Sequence, residues 1–196
     1  MALTVKGAKK KKYILEKAAA VFIKKGYSAV TMKDIVEECG ISRGGLYKYY
    51  SSTRDIFVDI LSGGQEDDGY FFTEKIENGV NAVEILSDFL RQQKDCLLNI
   101  ESTIRLAAYE FFLSHRGNGM ENLLKRQYNN SVSVLSRVLN YGISRNEISK
   151  LPPDDIGKFA DHIIILLEGL NILALSRQIS PELIDEQFDT VIRNLI

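Results

Sequence analysis

Apolar side chains recur every three to four residues along almost the whole chain, and no β-branched alternating run is bounded by hairpin turns. This period predicts an all-α protein. Ile14, Ala18, Val21 and Phe22 fall on one face of a first helix over about residues 9–25. Gly26 ends it, because glycine enters the left-handed conformation without a Cβ clash. Thr31 caps a short second helix with Ile35 and Val36 as its buried side, and Asp34 stands three residues on, where a capping box needs an acceptor. Gly40 closes that helix, and Ser42 caps a third that runs through Tyr49. Ser52, with Asp55 three residues later, opens a fourth that carries Ile56, Phe57, Ile60 and Leu61.

Beyond Gly63-Gly64 the pattern predicts amphipathic helices near 80–98, 101–115 and 119–144. Pro152-Pro153 opens another, since proline is tolerated in a first helical turn, and Ser180-Pro181 opens the last. The expected layout is about nine helices in two domains, a small head over 9–69 and a helical body over 70–196. The 153–176 segment is apolar on more than one face. Two arrangements would satisfy it: a helix buried wholly inside the monomer, or one that joins 181–195 in a four-helix bundle with a second copy.

Composition narrows the function classes. The longest aliphatic run, Ile163 to Leu167, ends at Glu168, far short of the roughly 20 apolar residues of a membrane span. The basic N-terminus is followed by no apolar stretch, which argues against a secretory leader. Cys39 and Cys96 lie on separate predicted helices, with no disulfide framework and no metal spacing; this fits a reducing cytoplasm and no metal. No phosphate-cradling glycine loop, nucleophile elbow or His/Cys/carboxylate cluster occurs, so neither an enzyme nor a cofactor is expected. The net charge of −1 conceals an asymmetry: residues 1–50 hold eleven Lys/Arg against four Asp/Glu, and residues 51–196 hold fourteen against twenty-two. That separation suits a head with an anionic partner; a lysine-rich tail that only aids solubility would give the same count.

The stretch from Thr31 to Tyr50 is the most specific signal. Two short helices around Gly40-Ile41-Ser42 are what a helix-turn-helix requires, with Gly40 allowing the reversal and Ile41 wedged between the helices. The second of these helices has to offer a narrow polar surface to the major groove. Arg43, Gly44, Gly45 and Lys48 provide it, although each glycine costs about 1 kcal/mol relative to alanine inside a helix.

Residues 9–61 resemble the DNA-binding head of the TetR/AcrR family of transcriptional regulators. The resemblance is carried by Phe22 with Gly26-Tyr27, by Thr31-Met-Lys-Asp-Ile, by Gly40-Ile-Ser, and by Gly44-x-Leu46-Tyr47-x-Tyr49-Tyr50. It implies a three-helix DNA-binding domain followed by a helical ligand-binding and dimerisation domain. It implies that Thr31 caps the second helix and that Lys33 reaches a phosphate or base. Ser42, Arg43, Gly44, Gly45 and Lys48 would form the groove-facing surface, and Tyr47 and Tyr49 would reach phosphates. Tyr47 and Tyr50 suit core packing equally well. Many relatives carry a hydroxyl residue at the place of Gly45 and a lysine at that of Thr53, where neighbouring Arg54 is the substitute.

Lys9 to Lys12 oppose the macrodipole of any helix they begin. They suit a helix start beside a phosphate backbone, a flexible basic arm, or a solvated tail. For the body, the resemblance implies a homodimer and a cavity for a small-molecule effector, with Cys96, Tyr109, Glu110, His115, Tyr128 and His162 as candidate lining. The function implied is a cytoplasmic repressor that leaves a palindromic double-stranded operator when an effector binds. A regulator controlled by a protein partner, or by no ligand, is the alternative.

Overall fold

The computed structural model describes residues 5–115, 120–176 and 179–196, and the regular structure in them is helical throughout. In chain order the helices are α1 (Val5–Lys25), α2 (Met32–Cys39), α3 (Arg43–Tyr47), α4 (Thr53–Glu77), α5 (Ala82–Leu98), α6 (Arg105–Ser114), α7 (Met120–Ser144), α8 (Ile156–Leu175) and α9 (Pro181–Arg193). Short 3₁₀ turns at Ile100–Ser102 and Pro153–Asp155 precede α6 and α8. The expected all-α class is the one observed, and nine α-helices form among the described residues. The expected start of the seventh helix at 119 lies outside the described residues.

Several boundaries differ by a few residues, and those of α1 and α4 have physical reasons. Helix α1 begins at Val5, ahead of the lysine run, and the charges that oppose its dipole are partly answered. Lys11 Nζ lies 2.7 Å from Asp59, and Lys10 Nζ lies 4.8 Å from the centre of the Tyr13 ring. Helix α4 runs through Gly63-Gly64 to Glu77, about one turn beyond the expected end near Phe72. It ends before Gly79, whose φ of 73° closes the turn.

The chain divides into two compact units, Met1–Gly64 with Glu101–Asn118, and Gln65–Ile100 with Gly119–Ile196. The sequence reading placed one contiguous boundary at 69/70, whereas α6 belongs with the first unit. The reason is apolar. Phe111 is fully buried against Tyr27 and Phe57, with ring centroids 4.9 and 5.1 Å away. It completes a core that also holds Ile14, Ala18 and Phe22 of α1, Ile35 of α2, Leu46 of α3 and Ile56 of α4. Four turns of sequence pattern could not reveal this, because the partners stand 84 residues apart from Tyr27 to Phe111.

In the second unit α7 packs along α8, and α5 lies against α7, α8 and α9. Leu86, Leu90, Leu139, Ile163, Leu167 and Phe188 are among the residues of its core. Helix α8 buries Ile156, Ala160, Ile163, Leu167, Leu170 and Ala174 on one side. Buried Asn171 donates to the Leu167 carbonyl at 2.8 Å and so keeps its amide partnered. On the opposite side Ile165 and Ile172 are 62% and 56% exposed, and Leu173 is exposed too. A helix buried wholly within the monomer is therefore not what forms.

Close packing makes one substitution diagnostic. A Cβ at Gly142 on α7 would stand 2.6 Å from both Ala82 Cβ and Ile148 Cδ1. Gly142→Ala is expected to cost about 1–3 kcal/mol through overpacking, read as a lower denaturant midpoint at unchanged helicity. An unchanged midpoint would contradict this contact.

Candidate nucleic-acid interface

The interface is built from two caps. Thr31 Oγ1 accepts from Asp34 N at 3.3 Å, and the Asp34 carboxylate accepts from Thr31 N at 2.8 Å. The capping box is thus complete with aspartate in the place usually held by glutamate. Gly40 then adopts φ 59°, and the chain reverses with Ile41 N bonded to the Val36 carbonyl at 3.3 Å. Ser42 Oγ accepts from Gly45 N at 3.1 Å and starts α3. Leu46, fully buried, faces inward, while Ser42, Arg43, Gly44, Tyr47 and Lys48 are exposed along the other side of the same short helix.

The two adjacent glycines differ. A Cβ on Gly44 would meet open space, but one on Gly45 would press on Ser42 Oγ at 3.2 Å. Glycine at 45 leaves the capping hydroxyl undisturbed, which is a local reason for the departure noted there.

The tyrosines separate as well. Tyr47 is 53% exposed, Tyr49 half-buried, and Tyr50 only 6% exposed. Tyr50 donates its hydroxyl to Asp59 at 2.5 Å. Burial, reinforced by that carboxylate, pushes its phenol well above the ordinary value. Tyr50 is a packing residue. Thr53 and Arg54, at the start of α4, are half-buried beside Tyr27. Burial raises the Tyr27 phenol, and both the Arg54 charge and a Thr53 hydrogen bond oppose that rise.

Part of the positive charge of the first fifty residues is answered internally. Lys17 pairs with Glu38 at 3.4 Å, Lys25 with Asp34 at 2.6 Å and Lys33 with Glu37 at 3.7 Å. Lys33 is exposed but shares its charge along α2. Arg43 and Lys48 carry no ion pair among the described residues and lie on the exposed side of α3. A surface of this kind, with two uncompensated cations, a phenol and a strip of bare backbone, suits an anionic polymer with recessed base edges.

The proposed pocket residues do not share one unit. Tyr109, Glu110 and His115 belong to the first, and Cys96, Tyr128 and His162 to the second. Glu110 accepts from the backbone N of Ser28 at 3.0 Å, and the His115 ring lies 5.4 Å from that of Tyr27. These two therefore brace the turn ahead of α2. Tyr109 is half-buried on α6. Cys96 and His162 are exposed, and Tyr128 donates to Asp161 at 2.8 Å. Among the described residues, a shallow cleft of about 400 Å³ lies elsewhere in the second unit, lined by Ile143, Asn146, Leu151 and Pro153 among others. Sequence reasoning missed Asp59 and Glu110 as parts of the head, since neither sits in a motif and each meets its partner only after folding.

Residues 14–60 match the profile of bacterial regulatory proteins of the tetR family, and 85–180 match the tetracyclin repressor-like C-terminal domain. The uncharacterised HTH-type transcriptional regulator YfiR of Bacillus subtilis is 33% identical over 146 residues, covering 74% of this chain and 71% of that protein. The chain belongs to the tetR family of transcriptional regulators. Solved structures of the fold agree. E. coli NemR in its reduced form superposes with a TM-score of 0.76 at 14% identity, over 96% of this chain and 98% of NemR. Bacillus subtilis FadR, solved in complex with stearoyl-CoA, gives a TM-score of 0.70 at 17% identity, over 94% and 99% of the two chains. Within this family a helix-turn-helix serves DNA, and α2 with α3 is the helix-turn-helix of this regulator. No helix among the described residues is long and apolar enough to cross a membrane.

The cap of α2 has a pH signature. The Lys25 ammonium, followed by the Thr31 backbone and hydroxyl, holds the Asp34 carboxyl down at about 2. A carboxylate depressed in the fold adds stability above its unfolded value of about 3.9, and that stability drains as pH falls toward the folded value. An NMR titration of the Asp34 carboxyl is expected to show a midpoint near 2. Asp34→Asn should remove the part of acid sensitivity that falls between the two values. A midpoint at the ordinary carboxylate value would refute the capping account.

Proposed function

We propose that this regulator represses transcription by binding a palindromic operator as a homodimer, and leaves it when a small molecule occupies the second unit. The observation that carries the DNA half is the exposed α3 surface of Arg43, Gly44, Tyr47 and Lys48, fixed from behind by buried Leu46. The description of the matched C-terminal domain as tetracyclin repressor-like supports repression. In this reading Arg43 meets a base edge, while Lys48, Tyr47 and Tyr49 hold phosphates. Ser42 and Thr31 hold the helix ends toward the backbone, with Lys33, Thr53 and Arg54 at the margin. The work is recognition rather than catalysis, and it takes place beside the chromosome in the cytoplasm.

The dimer half rests on α8. Ile165, Ile172 and Leu173 form an exposed apolar stripe beside Gly169, where two backbones can approach. The outward positions of α9 are instead mostly polar, among them Glu182, Asp185, Glu186, Asp189, Thr190 and Arg193. The 153–176 helix thus supplies the apolar contact, and the 181–195 helix supplies a polar flank in the bundle. Two heads on one duplex then read half-sites at a set spacing. An effector that shifts α4, whose single helix runs from the first unit into the second, would spoil that spacing. FadR was solved with stearoyl-CoA, so acyl thioesters are the first effector class to screen.

Two measurements test the proposal. With DNA from the region flanking its own gene, Arg43→Ala is expected to weaken binding by about 10- to 100-fold and relax specificity, as loss of one base contact does. A wild-type protein that ignores every duplex at low ionic strength would overturn the DNA half. For the dimer, Ile165→Glu with Ile172→Glu is expected to yield a folded monomer in sedimentation at micromolar concentration. A monomeric wild type would overturn that half.

A further inference from the structure

The lysine run is not one feature. We propose that Asp59 is a positioning residue for DNA recognition, and that it divides the run into a structural Lys11 and two DNA-facing lysines, Lys9 and Lys12. The inference rests on the DNA-binding reading above.

Three elements meet at one carboxylate oxygen. Asp59 Oδ2, on α4, accepts the Tyr50 hydroxyl at 2.5 Å and lies 2.7 Å from Lys11 Nζ, on α1. The Lys11 ammonium also stands 5.8 Å from the centre of the Tyr50 ring. Tyr50 is buried, so its hydroxyl needs an acceptor, and leaving it without one would be costly. Tyr50 is in turn bound to the recognition helix, because its backbone N donates to the Leu46 carbonyl at 3.1 Å. The C-terminal end of α3 is thereby fixed to α4 through a side chain and to α1 through an ion pair. The direction α3 takes out of the head depends on that junction.

The four lysines follow from this geometry. The charge of Lys11 is committed to Asp59, and the ammonium of Lys10 lies over Tyr13. Lys9 and Lys12 are exposed and carry no ion pair among the described residues. They are the two members of the run that can neutralise phosphates, each contributing roughly one released counterion to the salt dependence.

The test compares binding on operator and scrambled duplex over a salt series, at a temperature where circular dichroism shows every variant folded. Lys9→Ala with Lys12→Ala is expected to weaken both duplexes equally and reduce the log–log salt slope by about 2. Lys11→Met, Asp59→Asn and Tyr50→Phe are each expected to weaken operator binding by about two- to fivefold at unchanged slope, the scale of a partly exposed ion pair or hydrogen bond. Scrambled DNA should be little affected, so the specificity ratio falls. Lys11→Met combined with Asp59→Asn should be no worse than the more harmful single change, because both remove one interaction. A fall in slope of about 1 for Lys11→Met alone would place Lys11 on a phosphate and overturn the proposal. So would unchanged operator affinity in all three single variants, which a purely structural role, seen only in melting temperature, would give. If the wild type binds neither duplex, the DNA-binding reading is what fails. The junction is then judged by melting temperatures, where additive losses for Lys11→Met and Asp59→Asn would overturn it.

Discussion

A helix of five residues, two of them glycine, has almost no stability of its own. Helix nucleation fixes several residues before the first bond returns anything, and each glycine adds about 1 kcal/mol of penalty. Helix α3 exists because its surroundings hold it: Ser42 supplies the opening bond, Leu46 anchors the inner side, and Tyr50 ties off the far end against Asp59. The polar outer side is free to be narrow, and nearly bare of side chain at Gly44, because none of the holding is asked of it. The placement of that outer surface therefore depends on the burial of Leu46 and Tyr50 rather than on the residues that form it.

The same logic explains why the head is not a local structure. Tyr27 sits between Phe22, Phe57, Phe111 and His115, with ring centroids 4.9 to 5.8 Å away. Phe111 comes from α6 and His115 from its C-cap. Helix α6 also sets Glu110 on the amide of Ser28, immediately beside Gly26, whose φ of 76° turns the chain toward α2. A Cβ at Gly26 would fall 2.6 Å from Glu110 Oε1, so the turn and the carboxylate are fitted to each other. The head is thus completed from the middle of the chain, by a helix distant in sequence from the rest of that unit.

Charge is arranged on similar lines. The first fifty residues are strongly basic, yet Lys11, Lys17, Lys25 and Lys33 each meet a carboxylate. Exposed pairs of this sort add little stability. Their larger effect is to decide where charge without a carboxylate partner remains among the described residues, which includes Arg43 and Lys48 of α3 and Lys9, Lys10, Lys12 and Lys24 of α1. A count of charge along a sequence measures the excess but not its address.

The helical class, the caps at Thr31 and Ser42, the turn at Gly40 and the family were legible in the residues, because each is set by neighbours within one or two helical turns. Long-range contact decided the rest. An apolar residue such as Phe111 can be expected to be buried, but its sequence cannot say in which core, since hydrophobic burial has no direction along the chain. Glu110 and His115 read as polar residues fit for a pocket until folding set them beside Ser28 and Tyr27. Asp59 read as one more polar residue of α4 until Lys11 and Tyr50 reached it. Helical spacing fixes which side chains share a face; only the packed chain fixes what that face meets.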